Sequence, residues 1–154
     1  MISFYKAGSD ADYMAAKLLF EEYAQSLDIS LEFQHFGEEL TQLKTMYGPP
    51  VGGILLAEEG GNVIGCVGVR RITESIGELK RMYIQPAHQQ RGIGRNLLQL
   101  ALQLATDCNY SVLKLDTLAT MQPAIELYRK AGFYEVAPYY HNPIETAVYF
   151  EKQL

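Results

Sequence analysis

Apolar residues recur along this chain with two different periods, and the changes between them mark out its elements. Ile2 to Ala7 is a short β-prone run. Ser9 then stands as an N-cap with Asp12 three residues on, a capping-box spacing in which Asp takes the usual Glu or Gln place, so a first helix starts near Asp10. Ala16, Leu19, Phe20, Tyr23 and Leu27 follow at helical spacing and form one buried face, while Lys17, Glu21 and Glu22 point to water. Asp28 to Phe36 is mixed, with Leu31, Phe33 and Phe36 among polar residues. Glu38 to Met46 predicts a second, shorter helix stopped by Gly48-Pro49-Pro50.

The period then shortens. Gly53 to Glu58 and Val63 to Arg70 flank the turn Glu59-Gly60-Gly61-Asn62 as a hairpin, and Glu78 to Ile84 adds a third strand to an antiparallel meander. Helical spacing returns at Leu97, Leu98, Ala101, Ala105 and Cys108, with Leu100, Leu102 and Leu104 widening the apolar face. Ser111 to Asp116 reads as a buried strand, and a strand–helix–strand of this length implies a parallel neighbour. Pro123 suits the first turn of a further helix, Ile125, Tyr128 and Ala131 share one of its faces, and Gly132 closes it. Phe133 to Val136 and Thr146 to Lys152 are the last strands, joined through Pro138-Tyr139-Tyr140-His141-Asn142-Pro143. The pattern predicts a single α/β domain over residues 1–154, with no internal repeat or linker.

Composition narrows the function. A chain of 154 residues, 48% hydrophobic and 20% charged, buries roughly two-thirds of its unfolded surface. The net charge of −5 argues against a nucleic-acid or anionic-membrane surface, since both rely on clustered positive charge. Cys66 and Cys108 have no neighbour at metal-ligand spacing, so they read as buried, reduced thiols and no metal is expected. The chain shows no signal-like N-terminal segment and no long apolar span, which predicts a cytoplasmic protein that does not enter a membrane.

Candidate chemistry centres on Gln89-Gln90-Arg91-Gly92-Ile93-Gly94-Arg95, which leads from a strand into the helix carrying Leu97 and Leu98. Two closely spaced glycines at a helix start let backbone N–H groups converge on an anion with no Cβ in the way. A dinucleotide fingerprint would need glycine where Leu97 stands, and a Walker A loop would need a Gly-Lys-Ser/Thr that does not follow. The strand ending Met82-Tyr83-Ile84, the Gln89-to-Gly94 loop and Ala124-Ile125-x-Leu127-Tyr128-x-x-x-Gly132-Phe133 together resemble the GNAT superfamily of acyl-CoA-dependent N-acetyltransferases. The resemblance implies a twisted mixed sheet of about six to seven strands flanked by about four helices. It also implies acetyl-CoA as cosubstrate and an amine acceptor on a small molecule, amino acid or protein, and it leaves room for a homodimer. Met82, Tyr83 and Ile84 would pair with the pantetheine arm, and Gln89, Gln90, Arg91, Gly92, Ile93, Gly94 and Arg95 would hold the pyrophosphate. The Asn often found three residues before the helix alanine is Met121 here, so Thr117 and Thr120 are the nearby hydroxyls that would replace its contact.

An amine acceptor must lose a proton. At an unperturbed pKa of about 10.4, only about 1 in 10³ alkyl ammonium groups is neutral near pH 7. Glu78, at the start of the strand beside the cofactor arm, is the expected base, directly or through a water, against a plain ion pair with Lys80 or Arg81. Tyr128, carried over from the resemblance, is the expected acid for the departing CoA thiolate, against a core aromatic. Phe33, Phe36, Tyr139 and Tyr140 are candidates for an acceptor pocket, with Arg70 or Arg81 for an acceptor carboxylate. The rival function is an acyl-CoA-binding sensor or partner subunit without turnover.

Overall fold

The computed structural model describes residues 1–154. Seven strands form one sheet: β1 (Ile2–Lys6), β2 (Gly53–Glu59), β3 (Asn62–Arg71), β4 (Ile76–Ile84), β5 (Val112–Leu118), β6 (Tyr134–Val136) and β7 (Ala147–Gln153). Their spatial order is β1-β2-β3-β4-β5-β7-β6. Every neighbouring pair is antiparallel except β4 and β5. Parallel neighbours need a long crossover, and α4 (Ile93–Asp107) supplies it. The other helices are α1 (Asp10–Ser26), α2 (Phe36–Thr41), α3 (Leu43–Met46) and α5 (Gln122–Lys130). This is the mixed α/β architecture that the resemblance implies.

Local chemistry explains the helix ends. Ser9 Oγ accepts from the Asp12 N–H at 3.1 Å and the Asp12 carboxylate accepts from the Ser9 N–H at 3.1 Å, so the capping box closes reciprocally. The predicted helix over 38–46 is instead two short pieces. The backbone leaves helical geometry at Gln42, with φ −130°, and each piece turns its own side chain inward, Phe36 and Glu39 from α2 and Leu43 from α3.

The sheet carries an apolar layer on each side. On one face Leu97, Leu98, Ala101 and Ala105 of α4 meet Val67, Val69, Leu113 and Leu115, and on the other Ala16, Leu19 and Phe20 of α1 meet Ile54, Leu56 and Tyr47. Truncating a side chain such as the fully buried Leu97 to alanine costs about 2–5 kcal/mol. The apolar stripe of α4 is narrower than its composition predicts, since Leu100 faces water.

One irregularity, where β4 and β5 part, opens the sheet. β4 and β5 pair only over Ile76–Glu78 against Val112–Lys114. Just beyond, Arg81 takes a φ of 59° and the register with β3 shifts between Cys66 and Gly68. A bulge of this kind bends its strand and increases the local twist. β4 therefore stays with β3 while β5 follows β7, and the sheet parts along the inner edges of both strands.

Candidate active site

A cleft of about 480 Å³ opens at the parting, within the range of small-molecule sites. Met82, Tyr83 and Ile84 of β4 form one wall and Pro123, Ala124, Leu127 and Lys130 of α5 face them. Gln89, Gln90, Gly92, Ile93, Gly94 and Arg95 close one end, and Tyr23 and Ser26 of α1 also line the space. The first intrahelical bond of α4 runs from the Asn96 N–H to the Gly92 carbonyl, so the N–H groups of Ile93, Gly94 and Arg95 are without intrahelical partners. Orphan donors and the helix dipole make that end attractive to an anion. Gly92 adopts φ 78° with nothing within 4 Å of a would-be Cβ, so the turn itself, not crowding, calls for glycine. Gly94 does the other job, since a Cβ there would lie 3.2 Å from Leu127 Cδ1 and 3.4 Å from Ile84 Cδ1.

The structure brings most of the expected cofactor residues to this cleft, with three departures. The Arg91 side chain turns away, its Nη2 2.5 Å from Glu59 Oε2 and its Nη1 3.0 Å from His88 Nδ1. Thr120 is exposed on the turn before α5 and lines neither the cleft nor its neighbour. Thr117 is buried against Met121 Sδ at 3.5 Å and belongs to the neighbouring cavity. Met121 itself lines the cleft, so an apolar thioether stands where the resemblance implies a polar contact.

That neighbouring cavity, of about 30 Å³, lies on the α1 side of the parting and meets the cleft at Tyr23. Leu27, Ile29, Leu31 and Phe33 cover it, while Gln34, Lys80, Arg81, Asp116 and Asn142 supply polar groups. Tyr140 donates to Asp116 Oδ2 at 2.6 Å, and Gln34 Nε2 reaches the Tyr140 hydroxyl at 2.8 Å. Lys80 Nζ donates to Gln34 Oε1 at 3.2 Å and stands 3.9 Å from Asp116 Oδ1. Arg81 is already satisfied: Glu39 accepts from its Nε at 3.1 Å and its Nη2 at 2.9 Å, and its guanidinium sits 5.0 Å from the centre of the Phe36 ring. The fork that sequence offered for an acceptor carboxylate is thus spent inside the protein.

Glu78, the expected base, accepts a hydrogen bond at each carboxylate oxygen. It lines neither space, Arg70 Nε donates to its Oε1 at 2.8 Å, and the Tyr139 hydroxyl donates to its Oε2 at 2.6 Å. Burial acts to raise its carboxyl, but the Lys80 and Arg70 charges and the Tyr139 and Arg70 hydrogen bonds outweigh that and hold it below the usual carboxylate range. Its partner is therefore Arg70, across the β3–β4 ladder, rather than Lys80 or Arg81. Tyr128 is buried, edge-on to Phe133 with ring centres 5.8 Å apart and tilted on Phe150 at 6.5 Å. Burial pushes its phenol up, and Tyr23 and Asp116 push it further; like Glu78, Tyr128 lines neither the cleft nor the cavity.

Sequence reasoning missed Asp116, Lys80 and Gln34 as a group, because the three come together only through tertiary contacts. Charged residues on two central strands, Lys80 on β4 and Asp116 on β5, were the one available signal.

The family model described as "Acetyltransferase (GNAT) family" matches residues 16–133. An uncharacterized N-acetyltransferase of Schizosaccharomyces pombe is 37% identical, over 99% of this chain and 94% of that protein. An acetyltransferase from Streptococcus agalactiae superimposes with a TM-score of 0.81 at 21% identity, covering 99% of this chain and 98% of that one. The yncA protein of Salmonella typhimurium, whose structure includes its cofactor acetyl-CoA, superimposes with a TM-score of 0.72 at 20% identity, covering 99% and 93%.

Proposed function

The chain belongs to the acetyltransferase (GNAT) family, and from that premise we propose that it transfers an acetyl group from acetyl-CoA to a primary amine. The observation that carries this reading is the parting of β4 and β5, which joins a cofactor-sized cleft to a small polar cavity at Tyr23. The residues present suit the cosubstrate. The orphan N–H groups at the start of α4, with Arg95, would hold the pyrophosphate. The edge of β4 at Met82–Ile84, which β5 leaves unpaired, would offer backbone groups to the pantetheine arm. Acetyl-CoA supplies the acetyl group as an activated thioester.

The remaining chemistry falls to Asp116 and Tyr128. An ammonium acceptor first gives one proton to the base; as the neutral nitrogen then bonds to the acetyl carbon and the carbon–sulfur bond breaks, its second proton leaves through solvent, and sulfur departs as a thiolate that solvent protonates. For the first proton we assign Asp116, the carboxylate that lines the cavity, in place of Glu78, whose oxygens are taken. At the departing thiolate we keep Tyr128. Because its phenol is pushed above its ordinary value, it serves the thiolate mainly as a hydrogen-bond donor, since full transfer to a thiolate near 8.5 is uphill.

The test is thiol release from acetyl-CoA in the presence of a panel of amines, with products resolved by mass. Acceptor-dependent thiol release and an amide product support the reading. Tight acetyl-CoA binding with no thiol release for any acceptor would overturn it in favour of a non-catalytic binder.

A further inference from the structure

The cavity beside Tyr23 contains two opposite charges whose bonding capacity is only partly used, and that distinguishes it from the rest of the buried polar network. Glu39 with Arg81, and Glu78 with Arg70 and Tyr139, have their oxygens engaged at hydrogen-bond distance. Lys80 is different. Its ammonium has three N–H donors and is buried, yet it donates to Gln34 at 3.2 Å and meets Asp116 Oδ1 only at 3.9 Å, beyond hydrogen-bond reach. Tyr140 and the more distant Gln34 amide occupy Asp116 Oδ2, which leaves Oδ1 turned toward the Lys80 ammonium. Burial and the Arg81 and Arg70 charges lower Lys80 below the ordinary lysine range, with Glu78 and Asp116 offsetting them, as expected of an under-compensated cation.

We propose that Lys80 and Asp116 are the two poles of the acceptor site and that the acceptor is a free α-amino acid with an apolar side chain. This rests on the N-acetyltransferase reading. An α-ammonium and an α-carboxylate are joined through one carbon and carry opposite charges at about the spacing of Asp116 Oδ1 and Lys80 Nζ. The acceptor ammonium meets Asp116, which then takes its proton, and the carboxylate meets Lys80 through charge-assisted bonds. The side chain goes to the apolar cover formed by Leu27, Ile29, Leu31, Phe33 and Ile144. The cavity as it stands has room for about one water, so the cover moves outward when the acceptor enters. A plain monoamine leaves Lys80 under-compensated, and an amide or peptide offers it only a neutral carbonyl.

Leucine, leucinamide and isoamylamine separate these acceptors, since they share a side chain and an amine and differ in the carboxylate. With acetyl-CoA and mass-resolved products, leucine is expected to have a kcat/KM at least 10-fold above the other two. Lys80→Met is expected to lower the leucine-to-isoamylamine ratio at least 10-fold, with circular dichroism and acetyl-CoA affinity verifying the fold. If Lys80→Met does not fold, the wild-type ratio alone decides. Equal or better use of isoamylamine or leucinamide, or an unmoved ratio in folded Lys80→Met, would overturn the proposal while the N-acetyltransferase reading stands. No transfer to any of the three or to the wider amine panel, with acetyl-CoA still bound, would overturn both.

Discussion

The Tyr139 hydroxyl donates to Glu78 at 2.6 Å, on the oxygen that Arg70 leaves free, and so ties the loop before β7 to the last residue of β4 that pairs with β5. A carboxylate held this way, with each oxygen already accepting a hydrogen bond, stabilises the point where the sheet parts. Glu78→Gln should therefore reduce stability by about 1–3 kcal/mol, as expected for weakening a buried charge-assisted site. Turnover per folded molecule should change far less than the roughly 10²-fold that a general base supplies. Because the folded carboxyl lies below its unfolded value, its stabilisation is present above about pH 4.3 and is lost as pH falls through the folded value. Urea titrations of wild type and Glu78→Gln should accordingly differ at pH 7 and converge in acid.

Arg81 and Glu39 form the second buried pair, 42 residues apart in sequence and both nearly sealed from solvent. Removing one partner strands the other, so Glu39→Gln should cost about 3–5 kcal/mol. The Glu39 carboxyl is also held low, since the Arg81 bonds and charge outweigh the upward push of burial, and this pair too weakens as pH falls. Substituting both residues with apolar ones of similar size should recover most of the loss, measurable as a coupling energy in a double-mutant cycle.

The regular elements were legible because their chemistry is local. Ser9 and Asp12 cap α1 as their spacing predicts, and the 3.6-residue recurrence of Leu97, Leu98, Ala101 and Ala105 does lie against the sheet. The glycine loop was legible for the same reason, since Gly92 must take a positive φ and Gly94 must pass close to a neighbouring side chain. What was not legible depends on distant partners. Nothing in Glu78-Leu79-Lys80-Arg81 marks a bulge at Arg81, because the Glu39 bond that accompanies that backbone comes from α2. The same reason hides the bonding of Glu78, whose partners, Arg70 and Tyr139, sit on an adjacent strand and a remote loop and are not its chain neighbours Lys80 or Arg81. Arg91 belongs to this class as well, because Glu59 reaches it from the β2–β3 hairpin.

The loop at the start of α4 separates its glycines and its arginines by experiment. Gly92→Val forces a β-branched residue into a positive φ at the helix start, and acetyl-CoA affinity by calorimetry should fall at least 10-fold, about 1.4 kcal/mol. Gly94→Ala meets only the ends of Leu127 and Ile84 and should be tolerated with a smaller loss. Arg95→Ala should weaken binding and flatten its salt dependence, because Arg95 lines the cleft, whereas Arg91→Ala should leave affinity nearly unchanged, because Glu59 holds that side chain elsewhere. Equal losses for the two arginines would place the pyrophosphate on the outer side of the loop.

Tyr128 remains the residue whose role most needs separating from its packing. Its ring is a core element against Phe133 and Phe150, and Tyr128→Phe keeps that ring while removing only the hydroxyl. A purely structural tyrosine would give normal turnover per folded molecule and a lower midpoint in urea. A hydroxyl that hydrogen-bonds the departing thiolate gives roughly a 10- to 10²-fold loss of kcat, at or below the low end of acid catalysis, because burial and the nearby Tyr23 and Asp116 make this phenol a weaker acid than usual. The pH profile adds a second readout. With its value pushed above 10, the phenol stays protonated across the working range, so wild-type kcat should show no basic limb from Tyr128 below about pH 10. The loss in Tyr128→Phe should shrink above about pH 8.5, where a free thiolate is stable in water and needs less help to leave. A loss independent of pH and matched by a change in acetyl-CoA affinity would assign Tyr128 to binding geometry instead.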